Sequence, residues 1–403
     1  MSINNNFYEV INSLVSQGAG SELVVTDHKS FIDYGKILDG VNGTELANNF
    51  LSALANRIAQ VVELYRGYSG DYSDLYRGNI EYGQTIEQIM YTWYESNAAG
   101  WTQLNDGDTF GTYTISKPQI AVNYYEKENS YDIEKTIQFE MLKKAFTSEA
   151  EMSSFMAGIF GMFTNANELI REEARLGMIA GAIVKANTDA KAAKAKSSDA
   201  LGGLYDLRAC YANDTGDTTL NNAAIEVMLN NEKFIKYTMA TIKKVKKKMT
   251  KPSTKFSPSN KIKTFTPENA QHTYLAAGLK TAIDSYIINT AHYPEGADVL
   301  NLDAKSVAYW QSAATPYDII TKNPTLPMGA TTTLNGVVGI VFDDWACGEY
   351  TSVQTMDISP YDAKHRCWQY IYHGLCRYVV NQDANFVVFY IPKPTPAPDP
   401  AGS

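Results

Sequence analysis

Cysteine and histidine are scarce in this sequence. Four cysteines (Cys210, Cys347, Cys367, Cys376) in 403 residues do not make a disulfide scaffold, and they fit a chain made and folded in a reducing cytoplasm. Five histidines (His28, His272, His292, His365, His373) leave most acid–base and zinc mechanisms short of material. Long apolar runs are missing too. The longest weakly charged one, residues 178–184, is far below the roughly 20 residues of a membrane span. The N-terminus, Met-Ser-Ile-Asn-Asn-Asn-Phe-Tyr-Glu, has neither the basic nor the apolar region of a secretory signal. Basic charge is in deficit, with 35 Lys+Arg against 44 Asp+Glu and a formal net charge of -9. This argues against a protein whose whole surface grips nucleic acid. Phosphate-cradle and dinucleotide fingerprints are absent. Gly67-Tyr68-Ser69-Gly70 misses the spacing of a nucleophile elbow and reads as a turn.

What is present is ordinary globular material, 44% hydrophobic and 20% charged, which excludes wholesale disorder. The length predicts two or three structural lobes. Tyrosine outnumbers phenylalanine, 27 to 15; its apolar face and polar tip suit half-buried contacts and subunit interfaces as well as sheet surfaces.

Along the chain, residues 1–43 are rich in Asn, Ser and Gly without a sustained period and read as an extended arm. Leu46, Phe50, Leu54, Ile58 and Val61, with Thr44 as N-cap, predict a helix. From residue 66 to 131 Tyr, Gly, Asp and Thr dominate, and residues 109–115 and 119–125 alternate like a hairpin around Ser116-Lys117-Pro118. Such a ribbon is marginal alone and needs something to lie against. Ser148 and Glu151 form a capping-box pattern ahead of a long helix running to about residue 185. Phe155, Ile159, Met162, Ala166, Leu169 and Leu176 mark its apolar stripe, and Arg171, Glu172, Glu173 and Arg175 its polar face. Residues 197–219 read as a surface connection. A second helix is expected over 222–249, stopped by Pro252, and a third over 276–288. Strands are expected over 336–342, 367–380 and 385–391, before a Pro-alternating coil. No repeat of fixed period is found.

Three clusters invite chemistry. His365, Cys367, His373 and Cys376 are zinc-ligand types, but on a strand Cys376 faces away from the other three, and the aromatic neighbours Trp368, Tyr370 and Tyr372 favour a core strand. The lysines Lys243, Lys244, Lys246, Lys247, Lys248 and Lys251 could contact phosphates; without a base-reading motif they read instead as a solvated helix end that complements the macrodipole. Asp343 and Asp344 beside Trp345 read as a turn rather than a carboxylate pair. No catalytic, cofactor-binding or metal residue is assigned. A soluble chain of this size with an arm, a projecting ribbon and a long helix but no catalytic set is built to contact copies of itself.

Particular runs then carry a resemblance. Asn49-Phe50, Asn56-Arg57-Ile58, Val61-Val62 and Gly83-Gln84-Thr85-Ile86-Glu87-Gln88-Ile89, then Leu142-Lys143-Lys144-Ala145-Phe146-Thr147-Ser148, resemble the major capsid proteins of small short-tailed phages of the phi-29 type. So do Trp368-Gln369-Tyr370-Ile371-Tyr372-His373 and Asn385-Phe386-Val387-Val388-Phe389, in the family's order. The resemblance implies an α+β tailed-phage capsid fold of the Hong Kong 97 kind. Its parts would be an N-terminal arm (1–43), a peripheral-domain helix (44–65), an E-loop (66–136) and a peripheral domain with a spine helix (137–203). An axial domain (204–362), returning peripheral strands (363–391) and a disordered Pro-rich tail (392–403) would follow. It also implies self-assembly into pentamers and hexamers of an icosahedral or prolate head, with a scaffolding protein and a portal as partners. Double-stranded DNA would be enclosed without sequence-specific binding, with no membrane involved, in a virion assembled in the host cytoplasm. The immunoglobulin-like domain of some relatives is not expected, nor is Lys–Asn cross-linking. A cytoplasmic hydrolase and a tail- or fibre-associated module holding a receptor or glycan are the alternatives. Removing residues 84–130 is expected to leave a foldable subunit that cannot form shells.

Overall fold

The computed structural model describes residues 12, 29–33, 47, 48, 51, 68, 70–80, 85–91, 120–126, 128–145, 149–188, 194–290, 302–319 and 333–394. Its first elements are β1 (Tyr76–Asn79), β2 (Ile86–Tyr91), β3 (Ile120–Tyr125), β4 (Glu128–Gln138), α1 (Phe139–Ala145) and α2 (Glu149–Thr188). Next come β5 (Lys194–Ala195), β6 (Leu204–Asp206), α3 (Leu207–Thr215), α4 (Ile225–Leu229), α5 (Glu232–Met249), β7 (Gln271–Ala276) and α6 (Ala277–Thr290). The chain closes with β8 (Lys305–Val307), β9 (Val337–Asp343), β10 (Cys347–Ile358), β11 (Cys367–Val380) and β12 (Phe386–Tyr390). Two compact units result, one from Met1–Gly83, Lys127–Glu173 and Glu349–Arg377, the other from Gln84–Glu126, Ala174–Gly348 and Tyr378–Ser403. Among the described residues no helix is long and apolar enough to cross a membrane.

The first unit is organised by a four-stranded sheet in the order β1-β10-β11-β4. β11 runs antiparallel to β4 from Cys367↔Gln138 to Arg377↔Glu128. Alternation along β11 buries Trp368, Tyr370, Tyr372, Gly374 and Cys376 and leaves Gln369, Ile371, His373 and Leu375 on the more open face. The buried face meets α2 and the chain's early helical residues. Tyr370 lies 6.4 Å from Phe163 between ring centroids, and its hydroxyl donates to the Leu51 carbonyl at 2.9 Å. Trp368 Nε1 donates to Asn48 Oδ1, and its ring stacks on Phe139. Gly374 is a glycine because a Cβ there would sit 2.2 Å from the Tyr131 ring.

Helix α2, 40 residues long, spans about 60 Å at 1.5 Å per residue. Its polar side differs from the expected one. Arg175 is only 1% exposed and Leu169 is 50% exposed. The charges go inward because partners await them. Arg171 Nε donates to Glu349 Oε1 at 2.6 Å, and Glu172 Oε1 accepts from the Asp71 amide at 2.8 Å. A buried charge is tolerated when paired and hydrogen-bonded.

The second unit carries a six-stranded sheet in the order β5-β6-β12-β9-β7-β8. β9 and β12 are its centre, and Val337, Val338, Ile340, Val341, Phe342, Val387, Val388 and Phe389 are all fully buried. That is the signature of strands covered on both faces. One face joins Leu207, Cys210 and Tyr211 of α3, Phe234, Ile242 and Val245 of α5, and Leu279 and Ile283 of α6 in a single core. Capping fixes the helix starts: Asp206 accepts from the Ala209 amide, and Asn231 from the Phe234 amide. Gly336, at φ +77°, donates its amide to Asp318 and accepts from the Ile391 amide. A Cβ would lie 1.8 Å from the Ile391 carbonyl oxygen. Gly336→Ala is expected to destabilise the protein by more than about 2 kcal/mol, the cost typical of a non-glycine residue in left-handed backbone, because the Cβ also clashes with the Ile391 carbonyl; thermal or urea melts measure it.

Several expectations are corrected. The strand at 119–125 is β3, but its described partner is β2, from Ile86↔Tyr125 to Tyr91↔Ile120; residues 109–115 lie outside the described residues. The "surface connection" contains β6 and α3, with Leu204, Tyr205, Leu207, Cys210 and Tyr211 buried, because β6 finds a distant partner in β12. The helix expected over 222–249 is broken at Asn230-Asn231 into α4 and α5. The strands of 363–391 separate, β11 into the four-stranded sheet and β12 into the six-stranded one. β10 likewise leaves the 204–362 segment for the four-stranded sheet, while residues 174–203 fall in the second unit. Thr44, Leu46, Phe50, Leu54, Ile58, Val61, Ser148, most of the 1–43 arm and the tail from 395 lie outside the described residues; Ala47, Asn48 and Leu51 are helical.

Candidate assembly surfaces

The β2–β3 ribbon has two unlike faces because alternate residues of a strand point oppositely. One face turns to the ribbon's own unit through polar anchors. Asn123 Nδ2 donates to Asn381 Oδ1 at 3.2 Å and to Asp383 Oδ2 at 3.0 Å. The Tyr125 hydroxyl donates to the Val380 carbonyl at 3.3 Å, and burial, then Asp383, holds this phenol well above its ordinary pKa. Asn381 Nδ2 donates toward Met90 Sδ.

The opposite face carries Ile89, Tyr91, Ile120, Val122 and Tyr124, all exposed, Tyr91 at 65%. The register sets Ile89 against Val122, Tyr91 against Ile120 and Glu87 against Tyr124, so five large apolar side chains form one contiguous strip. Cross-strand neighbours about 5 Å apart shield one another only partly. A strip of this kind on a folded chain is a candidate interaction surface.

In the first unit Arg171 is the centre of a rigid joint between α2, β1 and β10. Its guanidinium lies 5.0 Å above the Tyr76 ring, and Glu168 stands 3.8 Å away. The Tyr76 hydroxyl shares a 3.1 Å hydrogen bond with Thr351 Oγ1. Burial disfavours the guanidinium charge, but the Glu349 hydrogen bond and attraction outweigh it and raise the pKa further.

The clusters singled out by sequence separate in space. His365 pairs with Asp362 in the turn before β11 and draws that carboxyl below its ordinary pKa. His373 Nδ1 lies 2.7 Å from Asp132, its directly opposed neighbour on β4, and Nε2 lies 3.5 Å from Asp357. Cys367 is buried. Cys376, on the other face of β11, has its thiol pushed up to about 11 by burial and then by Glu349. Among the described residues no three His, Cys, Asp or Glu side chains converge as a metal site. Asp343 and Asp344 do form a turn: Asp343 Oδ1 accepts from the Trp345 amide, while Asp344 faces His272 at 3.0 Å. Tyr68 and Gly70 are described but Ser69 is not, and His28 and His292 also lie outside.

The lysines at the end of α5 are less free than expected. Lys248 Nζ donates to the carbonyls of Ser198 and Asp199 at 2.9 Å each, and Lys246 Nζ to that of Leu302 at 3.3 Å. These bonds pin the 198–199 and 302 loops to the helix. Lys244 pairs with Asp199 and Lys247 with Glu268 at exposed positions.

Comparison with known proteins places this geometry. A family profile described as Phi29-like phage major capsid protein matches residues 11–390. The major capsid protein of Bacillus phage GA-1 is 22% identical over 168 residues, 40% of this chain and 34% of that protein, so the match spans about a third of that relative's length. Among solved structures, the capsid structure of Staphylococcus phage Andhra superposes with a TM-score of 0.51 over 83% of this chain and 87% of that one, at 8% identity. At that identity the likeness is one of fold, the mixed helix-and-strand tailed-phage capsid architecture. With nearly its whole length matched, this chain belongs to the Phi29-like phage major capsid protein family.

Proposed function

We propose that this major capsid protein, a component of the virion, closes a head of pentamers and hexamers around double-stranded DNA by laying its β2–β3 ribbon on a sister subunit. The exposed strip of Ile89, Tyr91, Ile120, Val122 and Tyr124, opposite a face held to its own unit by Asn123 and Tyr125, carries the reading. Burying the exposed part of such a strip on a neighbour contributes about 1 kcal/mol per large side chain, and a shell repeats that contact over every subunit, so modest interfaces sum to a closed particle. In this reading the E-loop narrows from 66–136 to residues 84–126, because β1 and β4 join the four-stranded sheet, while residues 1–43 are the arm and α2 the spine helix. The rest of the first unit is the peripheral domain and the rest of the second the axial domain. A scaffolding protein and a portal are the further partners, assembly takes place in the host cytoplasm, and the role is structural rather than catalytic.

Expression of the full chain, alone and with a scaffolding protein, followed by negative-stain microscopy tests this. Capsomers or closed shells are the expected outcome. A stable monomer at high concentration would overturn the proposal.

A further inference from the structure

The segment from Lys233 to Lys263 holds eleven lysines and no carboxylate, inside a chain of net charge -9. The fold sorts them. On α5, Phe234, Ile235, Thr238, Met239, Thr241, Ile242, Val245 and Met249 are buried, while Lys233, Lys236, Lys244, Lys247 and Lys251 are exposed. At 3.6 residues per turn Lys233, Lys236, Lys244 and Lys247 fall on one stripe opposite the core that spans ~21 Å, and Lys251 follows just past the helix end. Carboxylates flank the stripe without neutralising it. Asp199 serves both Lys244 and Lys248, Glu268 pairs with Lys247, Asp303 lies by Lys246, Asp217 by Lys233, and Glu232 opens the helix. The pairs of Lys244 and Lys247 are solvent-exposed and exchange readily for other anions.

We propose that this stripe is a nonspecific contact for the phosphate backbone of duplex DNA. A row of lysines suits that partner better than a protein. Lysine is a flexible point charge rather than the planar fork that recognises carboxylates in pairs, and it is depleted from protein interfaces. A duplex presents one phosphate per about 3.4 Å of axis on each strand, dense enough for each exposed lysine of the row to find one, about four contacts in all. With no base-reading side chain in the row, contact fixes position on the backbone and carries no sequence information. The proposal rests on the shell reading only for where the DNA is met, the inner wall of the head.

The test is binding of the full chain to a fluorescein-labelled 20-base-pair duplex of arbitrary sequence, read by anisotropy from 50 to 200 mM salt. With about four phosphate contacts, affinity is expected to fall roughly 100-fold across that range. Lys233→Gln, Lys236→Gln, Lys247→Gln and Lys251→Gln together are expected to weaken binding at least tenfold at 50 mM and to flatten the salt slope. A control with Lys135→Gln, Lys143→Gln, Lys144→Gln and Lys364→Gln is expected to bind as the parent does. Absence of binding at 50 mM, equal losses in both variants, or a poly-glutamate peptide bound as tightly as the duplex would overturn the proposal; the last result would assign the stripe to an acidic protein partner. Microscopy of the same preparations separates the two ideas. Shells without DNA binding refute the stripe alone, and DNA binding without shells refutes the shell reading alone.

Discussion

A chain carrying Ile89→Thr, Tyr91→Thr, Ile120→Thr and Val122→Thr is expected to fold and to lose closed shells by at least tenfold in yield. The four side chains are two directly opposed pairs of the β2–β3 ribbon, and all four are exposed. Threonine keeps the β-branched preference for strands, so the ribbon should persist and the melting temperature should move by only a few degrees. The loss falls on the contact between copies. Removing about 1 kcal/mol or more of burial at each position costs roughly 4 kcal/mol per subunit, when 1.4 kcal/mol is already tenfold in a single association. Sedimentation and negative-stain microscopy of variant and parent at matched concentration read the result. Shells at parental yield would place the neighbour contact elsewhere on the chain. The same logic corrects the excision expected from sequence. Cutting 84–130 would remove Glu128, Asn129 and Ser130, which pair with Arg377, Cys376 and Leu375, and would strip buried Arg377 of its carboxylate partner. Cutting 84–126 spares β4.

How much could be read beforehand depended on how local the cause was. Helix α2 was legible because a 3.6-residue period runs through it, and β9, β11 and β12 because apolar and aromatic residues are dense there. β6 and α3 were hidden in a polar stretch: Leu204 and Tyr205 become buried only through β12, some 180 positions later. The Asn230-Asn231 break leaves the apolar period undisturbed, although Asn231 as an N-cap was a usable signal. β10 is polar and irregular in pattern and is a strand because β1 and β11 flank it. The ribbon was placed in the right region, but its pairing with β2 was not foreseen, since alternation names a strand and not its neighbour. Its apolar strip follows from the register with β2, which no spacing reveals. The lysine row was visible as a run, but which ammonium groups are spent on loop carbonyls and which point outward to solvent was not.

The inward turn of Arg171 is the plainest case of a cause beyond the reach of periodicity, and it carries the other large effect. Read locally, Arg171 belongs to a solvent face; in the fold its side chain is 12% exposed and Glu349 is 0% exposed. Arg171→Met is expected to destabilise the protein by about 3–5 kcal/mol, the cost of leaving a buried carboxylate without its partner. By contrast, replacing both members with apolar residues is often neutral, so Arg171→Met combined with Glu349→Leu should recover much of the loss. A double-mutant cycle on urea melts reads the coupling, which should exceed about 2 kcal/mol. Because Arg171 also covers the Tyr76 ring and joins α2 to β1 and β10, the single variant should loosen the seat of the long helix on its sheet. Amide exchange in β1 and at the start of β10 should then accelerate more than in β9 or β12. Losses equal in the single and double variants would mean that packing of the Arg171 stem, rather than its charge, holds the joint.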